Sequence, residues 1–267
     1  VKSVFNGKLR KTKDQQRDPA NWFQIEVTAD KAKIASLVKA LNTFPEVGVA
    51  EATFERRINA DGPMVADLDD PLVADQWHLN AANVPAAWDY LQANDLPAGG
   101  LPLTVAVIDT GVDYLHPDLI DNMWVNPLEI AGNGMDDDGN GFVDDIHGVA
   151  VVSESFSHSG DPLDDHGHGT HVAGIIAATA GNDIGGVGIA FNSKIMAIKA
   201  AQYSGVLTTA DIAEAILYAV DNGADIINMS FGGYGRSQLE EDALALAYSQ
   251  AVLVAAAGND GRPNDAR

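Results

Sequence analysis

The sequence predicts an α/β protein in which helices cover both faces of a parallel sheet, preceded by a small α+β domain. From residue 101 onward, short apolar segments alternate with amphipathic segments long enough to form helices. This alternation is typical of a parallel sheet with helical crossovers. The sign of the charge also changes near residue 58. Residues 1–57 contain 11 Lys or Arg and 7 Asp or Glu, whereas residues 58–267 contain 5 and 31, which indicates two separate units.

The first unit, residues 1–57, is predicted to form the small α+β domain. Residues 22–27 alternate between apolar and polar side chains, as a half-buried strand does. Residues 31–41 place their apolar side chains on one face of a helix that Asp30 can cap. Residues 47–54 have the pattern of a second strand.

Residues 58–75 are acidic and interrupted by glycine and proline, which predicts a linker before a large domain over residues 76–267. The strands predicted in the large domain are residues 103–108, 194–199, 224–229 and 251–256, the last of them buried. The predicted helices are residues 168–179, a helix capped by Thr208 or Thr209 that ends before Gly223, and a helix from Ser237 to about Gln250.

The composition excludes several classes of protein. The 267 residues are 46% hydrophobic and 20% charged, as in an ordinary globular protein. No apolar run reaches the roughly 18 residues of a membrane-spanning helix. The absence of cysteine excludes disulfides and zinc–thiolate sites. A net charge of −22 makes nucleic acid an unsuitable partner. We therefore expect neither a membrane nor a nucleic-acid partner.

An acid and a histidine stand where a parallel sheet carries its active site. Asp109 ends the apolar strand of VAVIDTGVD, and His168 begins the apolar helix of DHGHGTHVAG. Sites in open parallel sheets form at the carboxyl ends of the strands. A neutral imidazole can take a proton from a nucleophile near pH 7, and a carboxylate can fix the tautomer of that imidazole. The two residues are therefore candidates for two members of a nucleophilic triad, although such a pair taken alone is more often a capping acid and a helix-end histidine.

Both segments resemble the catalytic blocks of the subtilisin-like serine proteases, the subtilases, in which the triad follows the order Asp, His, Ser. The resemblance implies catalytic roles for Asp109 and His168, and an oxyanion-hole role for Asn259 after the apolar segment VAAAG. The family's serine lies in Gly-Thr-Ser-Met-Ala, and this sequence contains no Gly-Thr-Ser. We therefore expect a C-terminally incomplete catalytic domain that is inactive alone, its serine lying outside this chain.

The resemblance also implies the location, the reaction and the processing of the protein. It implies a secreted endopeptidase that cleaves protein or peptide substrates through an acyl-enzyme. Residues 1–57 would be its propeptide and intramolecular inhibitor, and residues 58–75 would contain the maturation region. A substrate peptide would add as a strand between two segments. The residues implied for substrate binding are Ser204, Gly205, Val206, Ser230, Phe231, Gly232 and Gly233.

Residues 136–145, DDDGNGFVDD, predict a calcium site. Their spacing matches positions 1, 3, 5, 7 and 9 of a calcium-binding hand, with Gly141 at the sharp turn. Position 12 is His147 instead of the usual Glu, so another ligand is needed. The predicted ligands are Asp136, Asp138, Asn140, the carbonyl of Phe142, Asp144 and Asp145. The resemblance alone implies a second Ca²⁺ site formed by Asp118, Asn182 and the carbonyls of Ala180, Ile184 and Gly186.

Other interpretations were weighed against the triad. Asp109-Thr110-Gly111 also fits an aspartic protease, but that chemistry needs two such triplets and the sequence has one. Three nearby histidines, His166, His168 and His171, could suggest a metal site. The strongest alternative is a non-enzyme: a pseudoprotease or calcium-stabilised binding module that lacks the serine by nature. A coding sequence that continues to Gly-Thr-Ser would decide in favour of the enzyme.

Overall fold

The computed structural model describes residues 2–3, 23–24, 31–43, 68, 70–152 and 157–259. The chain divides into two compact units, Val1–Ile58 and Asn59–Arg267. In the first unit, strands β1 (Lys2–Ser3) and β2 (Phe23–Gln24) pair antiparallel, and helix α1 spans Lys31–Leu41. The predicted helix is confirmed, and β2 lies inside the predicted strand. The Asp30 cap, the strand at residues 47–54 and most of the linker lie outside the described residues.

The second unit contains most of the described elements. In chain order they are α2 (Trp77–Ala81), α3 (Val84–Gln92), β3 (Thr104–Asp109), β4 (Gly148–Val152), β5 (Ser157–Ser159), α4 (His168–Ala177), β6 (Lys194–Lys199), α5 (Thr209–Asp221), β7 (Ile226–Met229), α6 (Gln238–Ala247) and β8 (Val252–Ala255). Short 3₁₀ turns occur at Val73–Asp75 and Ile120–Asn122. Over the described ranges, none of the helices combines the length and the apolarity needed to cross a membrane.

Strands β3 to β8 form one sheet in the order β5-β4-β6-β3-β7-β8. Every pairing in it is parallel except that of β5 with β4. Strand β3 is central, with β6 and β7 on its two sides, and its last residue, Asp109, lies opposite Lys199 of β6. The mostly parallel α/β sheet predicted from the sequence is confirmed, and it places Asp109 at the carboxyl edge.

The core lies on both faces of this sheet. On β3, Ala106 and Ile108 pack into a cluster that includes Ile216 of α5. Val105 and Val107 point to the opposite face and pack with Ala173 of α4 and other residues. Because side chains alternate along a strand, a strand buried on both faces is apolar throughout, and β3 reads TVAVID. Helices α5 and α6 therefore cover one face and α4 the other.

The helix caps follow the sequence signals. The side chain of Thr208 accepts a hydrogen bond from the backbone N–H of Asp211 and begins α5. The side chain of Ser237 accepts from the N–H of Glu240 and begins α6, although this helix ends at Ala247, three residues before the predicted end. Each cap satisfies a donor that the first helical turn cannot pair.

The prediction of a buried strand at residues 251–256 is wrong in one respect. Strand β8 forms there, but Val252 is 61% exposed and Val254 is 45% exposed. The reason is its position: β8 is the edge strand, and it pairs only with β7 among the strands described. An apolar run of this length suits a buried strand, but periodicity does not say which strand lies at the edge of a sheet.

Candidate active site and cation-binding loops

The structure brings Asp109 and His168 into direct contact. Nδ1 of His168, the first residue of α4, lies 2.7 Å from Oδ1 of Asp109, the last residue of β3. The Asp109 side chain is 4% exposed, whereas that of His168 is 47% exposed. With Nδ1 bound to the carboxylate, Nε2 is the nitrogen that can take a proton from a nucleophile. A buried acid thus holds a base that a reactant can reach.

Glycine allows the helix to start this close to the strand end. A Cβ atom on Gly169 would lie 2.1 Å from the carbonyl oxygen of Gly111 and 3.0 Å from Cβ of Asp109. Gly167, the residue before His168, has φ of +97°, a conformation that L-residues rarely adopt. The glycines on either side of His168 therefore set the distance between the two functional side chains.

One predicted substrate segment follows β7, the strand that pairs with β3, and the other lies beside His166. Ser230 follows β7 directly, and its Oγ accepts a hydrogen bond of 2.9 Å from Nδ2 of Asn228. Gly205 lies in a tight turn with φ of +78°, and a Cβ placed on it would be 3.8 Å from Nε2 of His166. The second segment, residues 204–206, therefore lies beside the loop that leads to His168. After Ser230, Gly232 and Gly233 have open space where a Cβ would be.

Asn259 is exposed and follows β8, the neighbour of β7. The contacts of the described residues do not join it to Asp109 or His168. The rings of His166 and His168 meet edge to face, with centroids 6.4 Å apart. In the described ranges, however, the histidines do not belong to any group with metal-compatible geometry. His168 therefore keeps the acid–base role as its candidate function.

The acidic loop gathers a different set of side chains from the one predicted. Ligand atoms of Glu129, Asp138 and Asp145 all lie within 4.8 Å of one another; we call these three residues the carboxylate cluster. Two of them were predicted, but Glu129 was missed because it precedes the ten-residue motif. Asn140 belongs to the same neighbourhood, since its Nδ2 donates to Asp138 (3.0 Å) and to Asp145 (2.9 Å).

Two predicted ligands are used by the backbone of the loop. The carboxylate of Asp136 accepts the N–H groups of Gly139, Asn140 and Gly141. That of Asp144 accepts the N–H groups of two residues earlier in the loop, at 3.2 and 2.9 Å. The structure therefore does not bring Asp136 and Asp144 into the carboxylate cluster. Asp136 shapes the turn that carries Asp138 and Asn140.

Asp145 is the buried member of the carboxylate cluster, with no exposed surface. Burial raises the pKa of its carboxyl, and the charges of Asp138 and Glu129 add to the rise, while hydrogen bonds from Tyr218 and Asn140 oppose it. The Tyr218 hydroxyl donates to Oδ2 of Asp145 at 2.5 Å. Phe142 is buried beside this pair, with its ring edge-on to that of Tyr218. A buried carboxylate beside two others suits a hard cation with oxygen ligands.

The second predicted cation site is also partly assembled. Nδ2 of Asn182 donates to Oδ1 of Asp118 at 3.0 Å, and burial raises the pKa of Asp118. Asp118 also lies against the 180–186 loop, since a Cβ on Gly185 would be 2.3 Å from its Oδ2. Gln76 was not predicted as part of this site, but its amide packs against Gly186 in the same loop. The other predicted members, Ala180 and Ile184, belong to this loop.

Comparisons with known proteins agree with this geometry. Residues 101–267 match the profile of the subtilase family. The chain is 36% identical over 229 residues to Thermophilic serine proteinase of Bacillus sp. (strain AK1), covering 85% of this chain and 48% of that protein. It is 41% identical over 157 residues to Subtilisin-like protease 1 of Plasmodium berghei, covering 58% of this chain and 25% of that protein.

Two further similarities extend the comparison. The chain is 34% identical over 243 residues to Minor extracellular protease Epr of Bacillus subtilis, covering 89% of this chain and 31% of that protein. A solved structure of a protease from Pseudoalteromonas arctica superposes with a TM-score of 0.57 at 30% identity, covering 73% of this chain and 60% of that one. The chain thus spans between a quarter and a half of the length of these curated relatives.

Proposed function

Because this chain belongs to the subtilase family, we propose that it supplies the acid and the base of a serine endopeptidase. The observation that carries the proposal is the 2.7 Å contact between Nδ1 of His168 and Oδ1 of Asp109 at the carboxyl edge of the central strand. The family match also removes the aspartic protease interpretation, since subtilases are serine proteases.

In the proposed mechanism, Nε2 of His168 takes the proton of a serine hydroxyl as the oxygen attacks the scissile carbonyl. Asp109 holds the imidazole in the tautomer that leaves Nε2 basic, and its charge stabilises the imidazolium. His168 then returns the proton to the leaving amine, and a water molecule hydrolyses the acyl-enzyme by the same route. The Asn259 side chain would donate to the oxyanion of the tetrahedral intermediate.

The serine is proposed to come from a part of the protein that this sequence does not include. The sequence contains no Gly-Thr-Ser, and the chain spans 48% of the thermophilic proteinase and 25% of the Plasmodium protease. Substrate would lie as an extended strand between the 230–233 and 204–206 segments. The open space around Gly232 and Gly233 supports this, because a peptide backbone can approach there.

The N-terminal unit is proposed to be a propeptide that inhibits the mature enzyme, with maturation within residues 58–75. Its excess of basic residues, against the acidic remainder of the chain, supports an electrostatic attraction between the two. Secretion is proposed as well, because a relative at 34% identity is described as an extracellular protease.

Calcium is proposed to bind at the carboxylate cluster of Glu129, Asp138 and Asp145. Their converging oxygens and the burial of Asp145 fit a hard cation. When bound, the ion supplies positive charge that offsets the mutual repulsion of the carboxylates. A second ion is proposed between Asp118, Asn182 and the carbonyls of Ala180, Ile184 and Gly186.

The proposal is tested with a fluorophosphonate probe that labels activated serines. The 267-residue chain should not react, because an acid and a base without a nucleophile cannot form the adduct. The full-length protein should react, and His168→Ala should abolish labelling. Folded full-length protein that resists the probe and hydrolyses no peptide would favour the pseudoprotease instead. Labelling of the isolated chain would show that another serine acts as the nucleophile.

A further inference from the structure

A carboxylate that the proposed mechanism does not use, Asp164, is surrounded by donors just before His168. Its Oδ1 accepts hydrogen bonds of 2.9 Å from Oγ1 of Thr110 and from the backbone N–H groups of His166 and Gly167. Its Oδ2 accepts the backbone N–H of Thr170 at 3.0 Å and the Thr170 hydroxyl at 2.5 Å. One side chain thus binds the end of β3 and both sides of His168.

Thr110 links Asp164 to the catalytic pair, Asp109 and His168. Its hydroxyl, which donates to Asp164, also accepts the N–H of Gly169 at 2.9 Å. Its own N–H donates at 2.7 Å to Oδ1 of Asp109, the same oxygen that binds Nδ1 of His168. Thr110 is 3% exposed, so water does not readily replace these bonds.

The other side of Thr110 is fixed by a buried lysine. Nζ of Lys199 donates to the Thr110 carbonyl at 2.9 Å and pairs with Oδ1 of Asp165 at 2.5 Å. Lys199 is 8% exposed and lies opposite Asp109 in the register of β3 with β6. Lys199 therefore holds the strand end from the side of the sheet. Asp164 adds a carboxylate link between Thr110 and the helix that carries His168.

Asp164 is charged at the pH where such an enzyme works. Burial acts to raise its pKa, but the hydrogen bonds from Thr170, Gly167 and His166 outweigh that effect and leave the pKa below its ordinary value. A carboxylate that accepts five donors fixes their relative positions more firmly than a neutral group can, because hydrogen bonds to charged acceptors are stronger.

We propose that Asp164 is a positioning residue, which holds the His168 imidazole in line with Asp109 through Thr110 and Thr170 without touching the substrate. The inference rests on the proposed serine protease function. A misplacement of about 1 Å in an active site can cost about 10²-fold in rate. Loss of this anchor should therefore lower kcat and leave KM nearly unchanged.

The test uses the full-length, calcium-loaded enzyme and measures kcat, KM and the pH dependence of kcat/KM. Asp164→Asn presents an amide N–H₂ to groups that are themselves donors, so we expect kcat to fall about 10- to 100-fold. The matched control is Asp161→Asn, three residues earlier. The Asp161 carboxylate accepts only the Tyr114 hydroxyl and the Leu163 N–H among the described contacts. That variant should keep the wild-type kcat.

A second pair of variants separates positioning from charge. Thr110→Val keeps the shape and the charge of the site but removes the hydroxyl that joins Asp164 to Gly169. It should lower kcat and leave KM nearly unchanged, because the imidazole is then held less well in line with Asp109. Thr110→Ser restores the hydroxyl and should restore kcat. This pair remains decisive if Asp164→Asn fails to fold.

The outcomes distinguish this inference from the function on which it rests. Wild-type kcat and KM in Thr110→Val, with activity abolished in His168→Ala, would overturn the role of Asp164 and leave the protease intact. Equal losses in Thr110→Val and Thr110→Ser would also overturn it, because the hydroxyl would then not matter. Full activity in His168→Ala would overturn the proposed function itself.

Discussion

If calcium binds the carboxylate cluster as proposed, replacement of Asp138 by Asn should remove most of the stabilisation that the ion gives. Asp138 contributes one of three carboxylates whose oxygens lie within 4.8 Å of one another. At that distance, and with an effective dielectric constant of about 20, each pair of charges repels by about 3 kcal/mol. Three such pairs would cost a large part of the 5–15 kcal/mol that typically stabilises a domain, so the apo cluster should be strained at neutral pH.

The size of the calcium effect follows from mass action. An ion present at a hundredfold excess over its Kd, and not bound by the unfolded chain, stabilises by about 2.7 kcal/mol. For a domain of this size, that corresponds to a rise in Tm of about 5–10 °C. In Asp138→Asn the cluster loses one of its three charges, so the calcium-dependent rise should shrink to less than half.

The assay is a thermal melt of the full-length protein, inactivated by a fluorophosphonate, with excess Ca²⁺ or with chelator. The matched control is Asp137→Asn, which removes the same charge one residue away. Asp137 is exposed, and its Oδ2 accepts Ile130 N–H and Asn133 Nδ2 outside the carboxylate cluster. The same calcium-dependent shift in Tm in both variants would contradict a calcium site at the carboxylate cluster. Identical wild-type melting curves with and without chelator would contradict it as well. The acidic residues would then form only a solvated loop.

Four other substitutions test neighbouring parts of the structure. Gly169→Ala should lower turnover at least about tenfold, because its Cβ would lie 2.1 Å from a backbone carbonyl. Gly174→Ala, on the same helix with open space around it, should keep activity and stabilise by about 0.5–1 kcal/mol in urea unfolding. Tyr218→Phe should destabilise by about 1.5–3 kcal/mol in the same assay, since its hydroxyl donates to the buried Asp145 carboxylate. The lowered pKa of Asp164 means that its carboxylate stabilises the fold above the ordinary value of 3.8 and loses this effect as pH falls through the lower folded-state value. The stability difference between wild type and Asp164→Asn should therefore shrink below about pH 4, and a constant difference from pH 6 to pH 3 would contradict it.

The elements that sequence reasoning predicted well carry strong local signals. Strand β6 was predicted with the bounds observed, Lys194–Lys199, because it is apolar and short between polar segments. Helix α5 was predicted from the Thr208 cap and the glycine that follows it. Strands β4 and β5 were missed: β4 directly follows the acidic loop, and β5 is three polar residues paired antiparallel at the sheet edge. Strand β5 forms through tertiary pairing, which composition does not reveal, whereas β4 reads GVAVV and carries an apolar signal that was overlooked beside the acidic loop.

The residues of the site also divide into those with a local sequence signal and those identified only by their tertiary contacts. Asp109 and His168 were singled out because one ends an apolar strand and the other begins an apolar helix, and the sheet topology brings such ends together. Glu129 and Lys199 were missed because their partners are distant in sequence. Glu129 lies outside the calcium motif, and Lys199 reaches Thr110 only through the pairing of β6 with β3. The sequence gives no reason to assign Asp164 to the site, because an acid before a helix is ordinarily only a cap.

The measurement that tests the central claim most directly is the turnover of the full-length enzyme with His168→Ala. His171→Ala, one turn later on the same helix and also exposed, is the matched control. We expect a loss of about 10⁶-fold for His168→Ala, the order of magnitude found for the triad histidine of subtilisin itself, with circular dichroism and Tm unchanged. His171→Ala should retain activity near that of the wild type. Turnover near the wild-type value in His168→Ala would contradict the account.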